Sequence, residues 1–139
     1  MGAPRPVGAE PIDGEKKMIG YVTLGTRDLA RAAAFYDALL GEVGGKRFMD
    51  TDRFIAWSAG PASPGLSVTL PFNQEPATVG NGVMVALKAD SPAEVDRLYA
   101  KALELGGTDE GAAGPRGEQF YAGYFRDLDG NKLSFFCMR

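Results

Sequence analysis

The stretch YVTLGTRDLARAAAFYDALLG, residues 21–41, changes its hydrophobic period partway along. Up to Leu24 β-branched and apolar residues alternate, which predicts a strand over residues 19–24. Beyond it Leu29, Ala32, Phe35, Tyr36, Leu39 and Leu40 recur at spacings of three and four, one face of an amphipathic helix. Asp28 stands where an N-cap is wanted, and Gly41 where the helix should stop.

Three short strands are predicted next, over residues 46–49, 54–58 and 66–70, with turns at 50–52 and 60–65. A linker rich in Pro, Asn and Gly spans 71–82, and then the pattern repeats. A strand over 83–87 leads to Ser91-Pro92-Ala93-Glu94, which has Ser at the N-cap, Pro at the first helical position and Glu at the third. That helix carries Val95, Leu98, Tyr99, Ala102 and Leu105 and ends at Gly106-Gly107. Strands follow near Thr108, over 119–126 and over 132–138, the last two joined by a turn at 127–131. Tyr21 falls on Met84, Phe35 on Leu98, Tyr36 on Tyr99 and Gly44 on Gly107, each 63 residues on. The fold class expected is α+β: two βαβββ modules, each leaving a sheet face that only association covers. Their boundaries are about 18–72 and 82–138, inside one domain over 18–139. Residues 1–17, rich in Pro, Gly and charge, read as a disordered leader.

Composition narrows the function. The 139 residues carry a formal charge of −3 and no His, with a pI near 5.0. A nucleic-acid surface needs clustered Lys and Arg, so no nucleic-acid partner is expected. A single Cys forms no intrachain disulfide, and no apolar run has the length of a membrane span. The start has no signal-peptide core, and Pro6 stands where a myristoylation site needs Ser or Thr. A soluble, cytoplasmic protein without a membrane partner is expected.

Strand alternation sorts the side chains. Val22 and Leu24, Val83, Val85 and Leu87, and Leu133, Phe135 and Cys137 suit the helix side. Tyr21, Thr23, Met84, Ser134 and Phe136 are left facing a cleft. Trp57 and Tyr121 are candidates to join it, and Arg116 to overhang its rim, from a loop at 111–117 that reads as a connector or a lid.

Residues 21–41, the GNGVMVAL segment and the C-terminal YFRDLDGNKLSFFC together resemble the vicinal-oxygen-chelate superfamily of glyoxalases, bleomycin-resistance proteins and extradiol dioxygenases. The resemblance covers nearly all of 18–138. It implies mixed sheets curled around a central cleft, often in a homodimer. In the enzymes it implies a divalent metal on His and Glu ligands from the first and last strands of each module, chelated by neighbouring oxygens of the substrate. The matching positions here are Tyr21, Met84, Ser134 and a place near Ser67.

Transition-metal sites need imidazole, thiolate or carboxylate donors at roughly 2.0 to 2.3 Å. A phenol, a thioether and alcohols are poor substitutes, so no metal and no cofactor are expected. Asp50, Asp52, Asp109, Glu110 and Glu118 read as solvated turn residues. Asp127, Asp129, Gly130 and Asn131 open like a calcium loop but lack its later Glu, and read as a hairpin turn. Without His there is no catalytic triad, and Cys137 reads as a buried hydrophobe.

Three functions remain. The first is a metal-independent cleft binding a small aromatic or apolar molecule, with Tyr21, Phe136 and Trp57 stacking, Thr23 and Ser134 hydrogen-bonding and Met84 packing. The second is a glyoxalase-like lyase, isomerase or dioxygenase, with Tyr21 or Tyr121 as acid/base tuned by Arg116. The third is a structural or assembly domain, in which the same residues fill an interface.

Overall fold

The computed structural model describes residues 18–139; the leader expected over 1–17 lies outside the described residues. In chain order the elements are β1 (Tyr21–Gly25), α1 (Leu29–Gly41), β2 (Lys46–Asp50), β3 (Phe54–Ser58), β4 (Gly65–Thr69), β5 (Val85–Lys88), α2 (Pro92–Glu104), β6 (Thr108–Pro115), β7 (Phe120–Arg126) and β8 (Lys132–Met138). They build two four-stranded sheets, ordered β1-β4-β3-β2 and β5-β8-β7-β6. In each sheet the first strand runs parallel to the last, and the other pairs are antiparallel. These are two βαβββ modules, the α+β arrangement expected.

Both helices begin as their sequences predict. Asp28 is extended at φ −146°, and its carboxylate accepts the amide of Arg31. Ser91 Oγ accepts the amide of Glu94 at 3.1 Å, while the Glu94 carboxylate reaches the amide of Asp90 at 2.8 Å, one residue upstream of the usual reciprocal partner.

At the other ends the 63-residue spacing slips by one. Gly45 donates to Leu40 O at 2.8 Å and Gly107 to Ala102 O at 2.9 Å, six-residue closures that finish each helix. The glycine before each closure has positive φ, +83° at Gly44 and +108° at Gly106. The helix ends therefore superpose Gly44 on Gly106, not on Gly107.

The two sheets share one core through their helix-bearing faces. Phe35, Tyr36 and Leu39 of α1 are buried in one cluster with Val95, Leu98 and Ala102 of α2, Ile55 and Val68 below α1, and Phe125, Leu133 and Phe135 below α2. Burying each Val, Leu, Ile or Phe among them is worth about 1.5–3 kcal/mol, and both modules contribute to the one core. The DLDGN turn crosses the seam. Asp127 Oδ1 accepts the amides of Asp129 and Asn131, and Oδ2 accepts Tyr36 Oη–H at 2.6 Å and Asn131 Nδ2–H at 3.0 Å. Asn131 also donates to Gly25 O at the end of β1. This carboxylate is saturated by protein donors and serves the turn.

β6 departs from the sequence reading. A short strand near Thr108 and a connector or lid from Gly111 were expected, but pairing with β7 continues to Pro115 across two irregularities, between Asp109 and Gly111 and between Gly111 and Gly114. Bulges absorb glycines that a regular strand would not tolerate.

Candidate functional site

Register across the strands assigns the faces. In the first sheet Val22, Leu66 and Trp57 are mutual partners, as are Leu24, Val68 and Ile55, and these rows point at α1. The intervening row, Thr23, Ser67, Ala56 and Met49, points to the open side, as do Tyr21 and Phe54. A bulge at Phe48 turns its ring to that side too, about 3.0 Å from where a side chain on Gly65 would begin. In the second sheet Val85, Leu133 and Phe125 face α2, while Ala86, Ser134 and Tyr124, and Lys88, Phe136 and Ala122, form the open rows.

The expected cleft residues therefore fall into three groups. Tyr21, 59% exposed, and Thr23 occupy the open side of the first sheet, over a floor of Ala56 and Ser67. Ser134 and Phe136 occupy the open side of the second; Ser134 is only 1% exposed, and Phe136 stacks on Phe120 at 5.6 Å. Arg116 reaches the same side, its guanidinium 5.4 Å from the Tyr124 ring, with Lys132 Nζ 5.6 Å from that ring as well. Arg116 is further tied to the carbonyls of Ala112, Gly114 and Pro115.

Trp57 and Tyr121 are on the helix sides. Trp57 is buried, and its Nε1–H donates to Asp37 of α1 at 2.8 Å. Arg47 grips the same carboxylate with two nitrogens, and that bond first, then the indole, holds Asp37 below the usual range against the opposing effect of burial. Tyr121 Oη–H donates to Asp96 of α2 at 2.7 Å, which raises its pKa. Its hydroxyl points away from Arg116's side of the sheet, so the tyrosine–arginine acid/base pairing has no geometry here.

A cavity of about 560 Å³ lies at the seam between the modules on the helix side, walled by Val22, Trp57, Leu66, Met84, Leu87 and Phe135. It brings Trp57 and Met84 together and leaves the open-side residues on the other faces of their sheets. Ala89 donates to Phe136 O, so the backbone groups of Ala86 and Lys88 leave β5 on its unpaired edge, along this cavity.

A metal does not fit the four corresponding positions. Tyr21 and Met84 offer a phenol and a thioether, Ser67 and Ser134 two alcohols, and Ser67 is committed to hydrogen bonds with Val22 O and Thr23. Among the described residues no three His, Cys, Asp or Glu side chains gather as a metal site. Cys137 is buried and unpaired on the helix side. No helix among the described residues is long and apolar enough to cross a membrane.

Residues 18–135 match the family model of the Glyoxalase/Bleomycin resistance protein/Dioxygenase superfamily. A glyoxalase/bleomycin resistance protein from Albidiferax ferrireducens is 35% identical, with a TM-score of 0.80 over 87% of this chain and 98% of that one. Two more distant structures share the fold. One is a glyoxalase/bleomycin resistance protein/dioxygenase family enzyme from Burkholderia phytofirmans, at 18% identity and TM-score 0.70, over 86% of this chain and 98% of that one. The other is lactoylglutathione lyase from Agrobacterium tumefaciens, at 22% identity and TM-score 0.67, over 88% of this chain and 95% of that one. No curated protein matches the chain.

Proposed function

The chain belongs to the Glyoxalase/Bleomycin resistance protein/Dioxygenase superfamily, and from that premise we propose that it binds a small, flat, aromatic or apolar molecule without a metal. The observation that carries this reading is the side-chain set at Tyr21, Ser67, Met84 and Ser134, which removes every strong metal donor and leaves an aromatic surface with hydroxyls. On the first sheet's open face Tyr21 supplies stacking surface and Thr23 a hydrogen bond. On the second sheet's open face Phe136 supplies stacking surface and Arg116 a charged rim, over the buried Ser134, while Met84 lines the cavity at the seam. Trp57 and Tyr121 back the two sheets from behind.

A homodimer in the cytoplasm is the proposed setting. β1 and β5 are edge strands, and Ile19, Tyr21, Val83 and Met84 stand exposed beside them. A second copy covering these edges would bring one open face against another and close the cleft. Sedimentation should then return twice the 14.8 kDa chain mass.

Titration calorimetry with 2-naphthol tests the site. Saturable binding is expected, weakened about tenfold or more by Tyr21→Ala, as loss of an aromatic contact buried under the ligand implies, and little changed by Met84→Ala in the separate seam cavity. Affinity that Tyr21→Ala leaves intact overturns the site. Stoichiometric Zn, Ni, Fe or Mn surviving dialysis overturns the metal-free reading.

A further inference from the structure

The hydroxyls of Thr23 and Ser67 fix the polarity of the first sheet's open face. Ser67 is fully buried, and its Oγ lies 2.9 Å from the carbonyl oxygen of Val22. A carbonyl only accepts, so the single proton of Ser67 is used there. Ser67 Oγ is also 2.7 Å from Thr23 Oγ1. With the serine proton committed, the proton in that second bond is the threonine's. The relay runs Thr23 to Ser67 to Val22, and Thr23 presents only lone pairs to whatever lies above it.

Around this point the surface is apolar. Tyr21 and Phe54 meet edge to face at 6.3 Å, Phe48 and Met49 are exposed beside them, and Ala56 keeps the floor low. A flat ring laid on this frame meets the Thr23 oxygen, which accepts. The Thr69 hydroxyl is turned to the carbonyls of Arg53 and Leu70, and the Tyr21 hydroxyl at the strand's start can donate or accept and so favours neither class.

We infer that the cleft selects aromatic molecules carrying a hydrogen-bond donor, a phenol or an aryl N–H, over the same rings carrying only acceptors such as ether, carbonyl or carboxylate oxygens. This rests on the small-molecule reading of the cleft and names its ligand class. Reversing the relay to meet an acceptor breaks the Ser67–Val22 bond, a penalty of about 3- to 10-fold in affinity. The polarity is the inverse of a site built around a metal ion, which gathers ligand oxygens by their lone pairs.

The experiment compares 2-naphthol with 2-methoxynaphthalene by titration calorimetry on the full chain. The naphthol is expected to bind about 3- to 10-fold more tightly. Thr23→Val keeps the shape, removes the acceptor and is expected to bring the ratio to one. Ser67→Ala frees the threonine proton for the ether oxygen and should narrow the ratio. Equal affinities in the unaltered protein, or a ratio that Thr23→Val leaves unchanged, overturn the inference while the small-molecule site stands. Binding of neither probe overturns the site reading, and this inference with it.

Discussion

Tyr36 of α1 donates a 2.6 Å hydrogen bond to Asp127, the first residue of the turn between β7 and β8 in the other module. Both residues are buried. Tyr36→Phe removes one of four donors from a buried carboxylate and is expected to cost about 1–3 kcal/mol in urea unfolding. A loss below a few tenths would show the seam held by apolar packing alone.

The same pair predicts an alkaline weakness. Burial first, and the charge of Asp127 next, push the Tyr36 phenol well above its usual 10.0. Tyr99 is pushed to about 12 by burial and then by its bond to Asp109. In the unfolded chain these phenols ionise near 10, while in the folded protein they keep their protons. The stabilisation they give is complete below pH 10 and drains away as pH climbs toward the raised values. Unfolding at pH 8 and pH 11 should show a smaller Tyr36→Phe penalty at the higher pH, by about 1.4 kcal/mol for the unit above 10.

Two glycines should answer alanine oppositely. A Cβ at Gly107 would lie 2.8 Å from Ala102 O and 2.9 Å from Arg126 O, both backbone, whereas one at Gly41 meets nothing within 4 Å. Gly107→Ala is expected to cost about 1–3 kcal/mol through overpacking. Gly41→Ala, within α1, should gain about 0.5–1 kcal/mol. Thermal melts of the two variants read both signs directly.

Asp37 couples a helix to the tryptophan beneath it. Asp37→Ala strands the buried indole N–H of Trp57, at an expected cost of about 1–3 kcal/mol. Trp57→Phe removes the stranded donor, so the double variant should lose less than the two single losses added together. Strict additivity in a urea double-mutant cycle would show the bond contributing nothing.

The helices were legible because their caps and their period agree, Asp28 and Ser91 preceding apolar residues at helical spacing. β6 was not legible. Gly111-Ala112-Ala113-Gly114-Pro115 has no β-branched side chain and carries turn residues, so local chemistry argued against a strand that only pairing with β7 creates. The faces of the first and last strands of each module followed from simple alternation. Trp57 and Tyr121 were open because a middle strand's parity depends on the hairpins beside it. The signal was present all the same: Trp57 alternates with Ile55, and Tyr121 with Phe125, and those neighbours are core residues. The relay of hydroxyls joins residues 44 apart in sequence, which no local pattern announces.

Tyr36 and Tyr99 occupy equivalent turns of two helices of equal length, yet Tyr36 reaches into the other module while Tyr99 bonds Asp109 next to its own helix. The second half thus carries its own clasp, and the first borrows one. Separated, the C-terminal half would keep its phenol satisfied, and the N-terminal half would bury an oxygen with no mate.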